Sequence, residues 1–394
     1  MKIGLVLSNT PVYSETFITN KIKGLQNFGH EVIIFGRMIG NFKFCEVLEP
    51  PRIDKKRFIS TLIKAIYIFL RLFIFKPKSI IKFLIEEKKD GKTLIRAIKN
   101  LYFNNQYFFR KLDWVHFCYA TLTIGRENIA GVIGARMGVS LRGFDICLHP
   151  LKNPNCYKDI WGKIDKVHSI SSDLLNKAEK YGFTYDINHQ IINPGIDTNI
   201  FHSDKDRIEK YKTCKKIRLL SVSRLHWKKG LEYTIEALAI LKRRGFSCDY
   251  HIIGDGKEKE RLLFAAHQLG LAENVHFIGK LERCDIIKYY KDAHIYLQYS
   301  IQEGFCNAVL ESQSMGLLTI ASDAEGLQEN IISGETGWII PKRNPENLSK
   351  KIMEVVNLSL DEKMAISNRA VQRVRKHFAL NNQQKLINKF FTQI

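Results

Sequence analysis

The sequence alternates between short apolar runs and segments with helical spacing, and this alternation constrains its fold more than any other feature. Near the start, the runs KIGLVLS and EVIIFG have the length and apolar character of strands. Between them, ETFITNKIKGLQNFGH repeats apolar residues with helical spacing, at Phe17, Ile18, Ile22, Leu25 and Phe28. Strand, helix and strand of these lengths form a βαβ unit, and such units build parallel sheets.

The same alternation restarts in the second half of the chain. The runs IRLLSVSRL, CDYHIIGDG, VHFIGK, HIYLQYS and LLTIASD resemble strands, with GLEYTIEALAILKRRG, KEKERLLFAAHQLG and ERCDIIKYYKDA as helices between them. The 394 residues also exceed one comfortable hydrophobic core. We therefore predict an α/β protein with two domains in series. The first predicted domain is residues 1–200, with a basic helical insert at 52–111. The second is residues 201–370, which start with a polar linker at 202–216. A C-terminal helix at 371–394 is predicted to pack back on the first domain.

The charge of the chain restricts the class of its partner. The net charge is +21, and residues 52–111 hold 16 Lys and Arg against 4 Asp and Glu, which gives +12. Such an excess predicts an anionic partner, either an anionic membrane face, a phosphorylated substrate or nucleic acid. We expect no nucleic acid, because no recognition motif for it is present. The eight scattered cysteines form no C-x-x-C, which favours reduced thiols over a disulfide framework or a zinc site.

Two apolar segments could be mistaken for membrane signals. The opening MKIGLVLSNTPVYSE has a short apolar run followed by a turn, so we interpret it as a first strand rather than a signal peptide. The run FISTLIKAIYIFLRLFIF is interrupted by Lys64 and Arg71, so we do not expect it to span a membrane. With Arg57 and Lys78, these residues form a stripe spaced seven apart, which fits both core helices with solvated basic residues and membrane docking.

Unusual residues follow the strands of the second domain. SVSRLHWKKG carries Arg224 and Lys229, the run IIGDG ends in two glycines, and YSIQEGFCN carries Glu303. Eight residues after Glu303, Glu311 lies inside an apolar run. Because ligands of open parallel sheets bind beyond the carboxyl ends of the strands, we expect a binding site in these segments.

The residue types indicate a nucleotide diphosphate sugar. A helix beginning near Asn307 would direct free N–H groups and its positive dipole end at a ligand, and Arg224 and Lys229 would add cationic groups for a diphosphate. Glu303 precedes this helix and Glu311 lies about one turn inside it, so their carboxylates are on the order of 10 Å apart. Glu303 could then accept hydrogen bonds from sugar hydroxyls, and Glu311 from the ribose.

These motifs, in this order, resemble the GT-B glycosyltransferases, specifically glycosyltransferase family 4 and its polysaccharide-biosynthesis branch. The resemblance is carried by SRLHWKKG, IIGDG, NVHFIGKL, EGFCNAVLESQSMGLLTIASD and ENIISGETGWII, by INPGIDTNIF ahead of the second domain, and by SETFITNKIKGLQNFGHEV in the first. It implies two Rossmann-like domains facing across a cleft and transfer with retention of anomeric configuration. It also implies no required metal and no cofactor, with the nucleotide sugar as co-substrate.

The resemblance assigns roles to individual residues. Arg224 and Lys229 would neutralise the leaving diphosphate while Glu303 holds the donor, and these three are the predicted catalytic residues. The predicted donor-binding residues are Glu311, Gly254, Gly256, Gly304, Phe305, Cys306 and Asn307. The two glycines of GDG fit a simple strand-ending turn equally well.

The acceptor side departs from the family pattern. SLRGFDI, with Arg142 and Asp145, stands where many members carry a histidine, and NTPVYSE, with Ser14 and Glu15, replaces the usual glycine pair after the first strand. These four residues are the acceptor-side candidates. His116 in WVHFC is a fifth candidate, although a histidine in such a strand is more often a core residue.

We therefore expect a retaining glycosyltransferase that moves a sugar from a nucleotide-diphosphate donor to a growing, lipid-linked glycan. It would act in the cytoplasm, peripheral at the inner face of the cell membrane. The alternatives are a GT-B-type nucleotide-sugar epimerase or phosphorylase, or a non-catalytic nucleotide-sugar binding protein. An NAD oxidoreductase is disfavoured because no G-x-G-x-x-G follows the first strand. Asp204 and Asp206 form a D-x-D, a metal motif in another glycosyltransferase class, but no strand precedes them and we expect no metal site.

Overall fold

The computed structural model divides the chain into two compact units. It describes residues 1–11, 16–53, 56, 58–202, 211 and 216–393. The first unit consists of Met1–Ile192 with Gln384–Ile394, and the second of Asn193–Gln383. The division at Ile192 differs from the predicted boundary at residue 200. The predicted segment 371–394 is itself divided between the units, because the chain returns to the first one at Gln384.

A parallel sheet forms the centre of the first unit. Its described strands are β1 (Lys2–Asn9), β2 (Glu31–Arg37), β3 (Glu46–Leu48), β4 (Trp114–Phe117), β5 (Arg136–Leu141), β6 (Lys166–Ser169) and β7 (His189–Ile191). They lie in the order β3-β2-β1-β4-β5-β6-β7, and every neighbouring pair is parallel. The order reverses between β1 and β4, which is the doubly wound pattern of Rossmann-like sheets.

A second parallel sheet repeats this pattern in the second unit. Its described strands are β8 (Ile217–Val222), β9 (Cys248–Ile253), β10 (Val275–Gly279), β11 (Ile295–Gln298), β12 (Leu318–Ser322) and β13 (Trp338–Ile340). Their order is β10-β9-β8-β11-β12-β13, with the reversal between β8 and β11. Two parallel sheets with interleaved helices confirm the predicted α/β class.

Helices connect the strands in both units. Those of the first unit are Thr16–Asn27, Phe58–Phe75, Pro77–Lys89, Leu94–Phe103, Ile129–Ile133, Gly143–Cys147, His149–Lys152 and Ser172–Ala178. Those of the second unit are Leu231–Arg243, Lys259–Gln268, Arg283–Asp292, Asn307–Ser314, Leu327–Asn330, Pro345–Asn357 and Leu360–His377, and a last helix, Leu380–Thr392, ends in the first unit. The predicted basic insert consists of the three helices between residues 58 and 103.

Local sequence signals begin these helices. The side chain of Ser171 accepts a hydrogen bond from the Leu174 N–H at the start of Ser172–Ala178. Ser359 and Glu362 form a reciprocal capping box at the start of Leu360–His377. Such caps satisfy N–H groups that have no partner within the helix.

The core of the first unit combines the first helix with the last one. The buried face of Thr16–Asn27 contains Ile18, Ile22 and Leu25, as its spacing predicts. Phe28, placed on the same face by the pattern, is exposed because the helix ends before it. Phe390 and Phe391 pack into this core from the C-terminal helix, and burying each contributes about 1.5–3 kcal/mol.

The turn GDG after β9 lies directly on the loop after β8. A Cβ atom at Gly254 would lie 1.9 Å from the carbonyl oxygen of Ser223, and one at Gly256 would lie 2.2 Å from that of Leu225. The Leu225 N–H also donates to the main-chain oxygen between the two glycines, at 3.0 Å. The glycines therefore permit a close main-chain contact that fixes both neighbours of Arg224.

Replacing Gly256 should separate these two loops. We expect Gly256→Ala to lower the free energy of unfolding by about 1–3 kcal/mol, because the added Cβ overlaps the Leu225 carbonyl group. Gly131→Ala is the matched control, since a Cβ there meets no atom within 4 Å. Because Gly131 lies in the helix Ile129–Ile133, the Gly131→Ala variant should leave the free energy of unfolding unchanged or raise it by up to about 1 kcal/mol. Chemical denaturation measures both variants, and equal stabilities would contradict the contact.

Candidate donor site

Two neighbouring strands of the second sheet present their loops to each other. The turn Trp227–Lys229 ends at Gly230, where a Cβ would lie 2.2 Å from the carbonyl oxygen of Tyr299. The Ile301 N–H donates to the carbonyl oxygen of Lys228 at 2.7 Å. Because β8 and β11 are adjacent and parallel, these contacts join the loops at the carboxyl edge of the sheet.

Lys229 and Glu303 form an ion pair between these loops. The Lys229 Nζ donates to the Glu303 Oε2, and only 14% and 15% of the two side chains are exposed. Burial alone would lower the pKa of Lys229, but the Glu303 carboxylate outweighs it and holds that pKa above its ordinary value. The Ser300 hydroxyl also donates to Oε2, at 3.2 Å. Within the described part of the chain nothing donates to Glu303 Oε1, which leaves this atom for a ligand hydroxyl.

Arg224 supplies a positive charge that is not paired in this way. Its side chain is exposed, and its guanidinium makes no hydrogen bond or ion pair with any residue that the structure describes. The close packing of GDG holds the main chain on both sides of it. The site thus combines a neutralised pair, Lys229 with Glu303, and a cation on a fixed loop.

The start of the helix Asn307–Ser314 is held by Asn330, which is not among the predicted site residues. The Cys306 N–H donates to the Asn330 Oδ1 at 3.0 Å, and the Asn330 Nδ2 donates back to the Cys306 carbonyl oxygen at 3.1 Å. Gly326 lies as close, because a Cβ there would be 2.2 Å from the carbonyl oxygen of Gly304. The motif ENIISG contains Asn330, but its spacing gives no sign of this contact.

The residues between Glu303 and this helix are largely buried. Gly304, Phe305 and Cys306 are shielded from solvent, and the Phe305 ring lies 5.8 Å from that of Phe378. Burial and the neighbouring Glu303 carboxylate raise the pKa of the Cys306 thiol to about 12, so it stays neutral. These residues can serve a donor through their main chain, whereas Asn307 is partly exposed.

Glu311 lies one turn inside the helix in a partly buried position. Its Oε2 accepts a hydrogen bond from the Tyr290 hydroxyl at 3.1 Å. Burial raises the pKa of Glu311 from 4.5 to about 7, against the opposing effects of Tyr290 and the positive charge of Arg283. A carboxyl with this pKa changes its charge near neutral pH.

In the first unit, the structure brings Arg142 and Asp145 together at the end of β5. The Arg142 Nε donates to the Cys118 carbonyl oxygen at 3.1 Å, and its guanidinium lies 4.0 Å from the centre of the Phe17 ring. Asp145 is buried and accepts a hydrogen bond from the Thr121 hydroxyl at 3.0 Å. Burial raises the pKa of Asp145 to about 6, and its Oδ2 has no partner among the described residues.

His116 is fully buried in β4, one residue before the carboxyl end of that strand. Its Nε2 is 2.8 Å from the Lys21 Nζ and 2.8 Å from the Ser140 Oγ, which in turn lies 2.8 Å from the His168 Nδ1. Burial lowers the pKa of His116 well below its ordinary value and that of Lys21 to about 8. This placement disfavours contact with an acceptor and matches the alternative interpretation of a core histidine.

Some sequence predictions fall outside the residues that the structure describes. Ser14 and Glu15 are among them, as are Asp204 and Asp206 of the D-x-D. In the described residues no group of three or more His, Cys, Asp and Glu side chains is placed to hold a metal ion.

Comparisons with known proteins agree with this architecture. Residues 203–373 match the family model described as glycosyl transferases group 1. The putative colanic acid biosynthesis glycosyltransferase WcaL of Salmonella typhimurium is 23% identical over 98% of this chain and 97% of its own. The amylovoran biosynthesis glycosyltransferase AmsK of Erwinia amylovora is 26% identical over 90% of each chain.

The same fold occurs in solved glycosyltransferase structures. Anabaena HepE, crystallised with UDP and glucose, superimposes with a TM-score of 0.72 over 100% of both chains, at 16% sequence identity. The predicted GT-B class is thereby confirmed. Residues 203–373 are thus similar to the glycosyl transferases group 1 domain, and the chain that carries them has the fold of the GT-B glycosyltransferases.

Proposed function

We propose that this protein is a glycosyltransferase of polysaccharide biosynthesis that moves a sugar from a nucleoside-diphosphate donor to a glycan acceptor. The observation that carries the proposal is the Lys229–Glu303 pair beside the unpaired Arg224. The relatives WcaL and AmsK are named for the biosynthesis of colanic acid and amylovoran, and HepE was solved with UDP and glucose. These names support a polysaccharide product and a nucleotide-sugar donor.

The proposed reaction uses positive charge where the donor gains negative charge. The bond between the sugar C1 and the diphosphate oxygen breaks, and the diphosphate leaves with the bonding electrons. Arg224 and Lys229 stabilise that charge, and the raised pKa of Lys229 keeps it protonated at neutral pH. The acceptor oxygen bonds to C1, and its proton passes to the leaving diphosphate.

Glu303 positions the donor in this scheme. Its Oε2 is already bound by Lys229 and Ser300, so the carboxylate is held in one orientation with Oε1 available to the sugar hydroxyls. This arrangement supports a binding role better than attack on C1. Retention of configuration, which the family resemblance implies, belongs to the same proposal. So does transfer without a metal, because the cations described here would supply the charge that stabilises the diphosphate.

Removing either cation should abolish most of the activity. Arg224→Ala and Lys229→Ala should each lower the rate of sugar transfer by about 100-fold or more, because the leaving group loses a counter-charge. Arg243→Ala is the matched control, since Arg243 is exposed at the far end of the helix that follows β8. The donor for the assay is the nucleotide sugar that raises the melting temperature of the protein most. The assay then measures the transfer of labelled sugar from this donor to acceptors in a membrane lipid extract.

The products separate this proposal from its alternatives. We expect a glycoside product with the same anomeric configuration as the donor. The product should form equally well when a metal chelator is present. Near-normal transfer by both cation variants would refute the assigned donor site. An epimerised donor or a free sugar phosphate as the main product would instead indicate the epimerase or the phosphorylase.

The titration of Glu311 should appear in donor binding. At pH 6 a carboxyl with a pKa of about 7 is mostly neutral, and at pH 8 it is mostly ionised and accepts hydrogen bonds from the ribose more strongly. We expect nucleotide-sugar affinity to rise up to roughly tenfold between these pH values. Glu311→Gln, which does not titrate, should bind more weakly at pH 8 and show no such rise. Calorimetric titration of both proteins with the nucleotide sugar tests whether Glu311 binds the ribose. The same pH dependence of affinity in the wild type and in Glu311→Gln would contradict that role.

Glu311 should also influence the stability of the free protein. Because folding raises its pKa, its stabilising contribution is complete below pH 4.5 and is lost as the pH increases to about 7. The same substitution should therefore flatten the decrease of the melting temperature over this range.

The helical insert of the first unit carries an unusual amount of exposed apolar surface. Ile59 is 75% exposed on Phe58–Phe75, and Ile95 is 82% exposed on Leu94–Phe103. Other exposed apolar residues of the insert are Leu62, Ile63, Ile66, Tyr67, Leu70, Phe73, Ile74, Phe75, Ile81, Ile85, Leu94 and Ile98. Core helices with solvated basic residues would bury these side chains, so the structure favours the alternative interpretation of a docking surface.

We assign this surface to an anionic membrane. Lys64, Lys78 and Lys99 are exposed among the apolar residues, and the insert has a net charge of +12 over residues 52–111. Apolar side chains can enter the lipid interface while each basic residue near it adds about 1 kcal/mol of attraction. No described helix is long and apolar enough to cross a membrane. A peripheral enzyme with a lipid-linked acceptor fits these properties.

Vesicle binding tests the assignment. The protein should co-sediment with vesicles that contain anionic lipid, less so with neutral ones, and release as salt increases. Replacing Lys64, Lys78 and Lys99 by Glu should abolish binding, whereas the same change at the exposed Lys152, Lys158 and Lys180 should not. Arg71 is left intact because its guanidinium lies 4.0 Å from the centre of the Phe109 ring. Donor-induced stabilisation should survive in both triple variants, and equal binding to neutral and anionic vesicles would refute the membrane role.

A further inference from the structure

A cavity of about 370 Å³ opens at the carboxyl ends of β1 and β2 in the first unit. The first strand contributes Ser8 and Asn9, the second contributes Arg37, and Gln106 and Arg126 come from the chain that follows. The volume lies within the range of small-ligand sites, and the position is where open parallel sheets bind ligands. None of the predicted site residues that the structure describes lines this cavity.

The charged groups of the cavity have one sign. Arg37 is exposed, and no described residue accepts a hydrogen bond from its guanidinium. Arg126 donates one N–H to the Leu122 carbonyl oxygen at 3.0 Å, which leaves most of its five donors for other partners. Among the described residues that line the cavity, none is acidic. Two arginines in a concave site favour a phosphate group, whose oxygens their planar forks can bind in pairs.

Glu49 is the described carboxylate that interacts electrostatically with Arg37, and it already accepts hydrogen bonds from other groups. Glu49 accepts from the Met38 N–H at 2.9 Å and from the Arg52 guanidinium at 3.0 Å. The hydrogen bond from Met38, with a smaller effect of Arg52, holds the pKa of Glu49 below its ordinary value. The charge of Arg37 also acts on Glu49, but no described hydrogen bond joins the two side chains, so the guanidinium donors of Arg37 are available to a ligand.

A polar atom in the cavity lacks a partner. The Gln106 Oε1 is buried, and no described group donates to it. Turning the side-chain amide would place its NH₂ group there instead, so Gln106 can meet either a hydroxyl or a phosphate oxygen. Burying an amide without a hydrogen bond is costly, and a bound ligand would remove that cost.

The walls of the cavity are rigid. The rings of Phe35 and Tyr107 stack with centroids 4.1 Å apart and planes 9° from parallel. A Cβ atom at Gly36 would lie 2.4 Å from the Leu7 carbonyl oxygen, so β1 and β2 approach closely at this edge. Burial raises the pKa of Tyr107 to about 12, against the opposing effect of Arg126, and keeps its hydroxyl neutral. A preformed site loses little entropy when it binds.

We propose that this cavity binds the phosphate group of the acceptor, and that the acceptor is a phosphorylated lipid. Phe103 lines the cavity at the end of the helix Leu94–Phe103, which also exposes Leu94 and Ile95. Phosphate in the cavity and hydrocarbon along the insert would thus be bound by one continuous stretch of chain. This inference deepens the proposed function by naming the acceptor class, and it rests on that function.

The anion site can be measured apart from the donor site. Inorganic pyrophosphate should still bind the full-length Arg224→Ala/Lys229→Ala variant, which lacks the donor cations. Adding Arg37→Ala or Arg126→Ala should weaken this binding at least tenfold, as seen by calorimetry. Arg136→Ala is the matched control, because Arg136 lies at the opposite, amino end of β5 and should leave the affinity unchanged. No pyrophosphate binding in the parent variant, or binding that neither cavity substitution weakens, would overturn the site.

Folding and donor binding are checked in parallel. Arg37 is exposed, so Arg37→Ala should keep the melting temperature, and Arg126→Lys retains the charge if Arg126→Ala fails to fold. In the otherwise wild-type chain, Arg37→Ala should retain normal stabilisation by nucleotide sugar. If no nucleotide sugar stabilises the wild-type protein, the proposed function is refuted. If a nucleotide sugar stabilises it but pyrophosphate does not bind in the cavity, only this inference is refuted.

Two sources of phosphate are distinguished by vesicles. Wild-type protein should prefer phosphatidylcholine vesicles with a long-chain isoprenoid phosphate over vesicles carrying equal charge as phosphatidylserine. Arg37→Ala should lose this preference while keeping the binding to both that depends on Lys64, Lys78 and Lys99. Arginine-dependent binding of glucose 1-phosphate without any preference for the lipid phosphate would overturn the lipid assignment in favour of a soluble acceptor.

Discussion

The ion pair between Lys229 and Glu303 is the contact on which the donor site depends. Two mostly buried charges are costly to remove from water, and their mutual attraction repays this only when the geometry is good. The close main-chain contact at Gly230 and the hydrogen bond from Ile301 to the Lys228 carbonyl supply that geometry. Stability and chemistry are therefore coupled, because loss of one partner leaves the other as an uncompensated charge. Arg224 differs, since it is exposed and can meet a diphosphate without breaking a pair.

Much of this fold follows from local patterns in the sequence. Apolar runs and helical spacing predict β1, β2 and the strands β8 to β12, because each is long enough to show its period. The strands β3, β7 and β13 were missed, since each has only three residues in the structure and such a run carries no periodic signal. The predicted residues Arg142 and Asp145 both lie in the segment directly after β5, because they are only three residues apart in the chain.

The contacts that sequence reasoning missed are distant along the chain. Asn330 is 24 residues from Cys306, yet its side-chain amide satisfies both the N–H and the carbonyl group of that residue. For a related reason, the sequence leaves both interpretations of His116 open. Its partners Lys21 and Ser140 come from other elements, and only their meeting in the sheet turns an isolated histidine into a hydrogen-bonded core residue. Periodicity reports which face of an element is buried, but not which polar groups will meet there.

Both units use the carboxyl edge of a parallel sheet, but they treat positive charge differently. In the second unit Lys229 is paired with Glu303 when no ligand is bound. The positive charge of Lys229 therefore favours a ligand that can also donate hydrogen bonds to Glu303. In the first unit Arg37 is unpaired and the insert is broadly basic, an arrangement that attracts anions with little selectivity. On the proposal above, selectivity there would come from shape, through the stacked walls of the cavity and the Gln106 Oε1 that no described group satisfies. On the functions proposed above, a soluble donor would meet one ion pair and the single unpaired cation Arg224. An acceptor held at a surface would instead meet a broadly basic region that adds attraction along its approach.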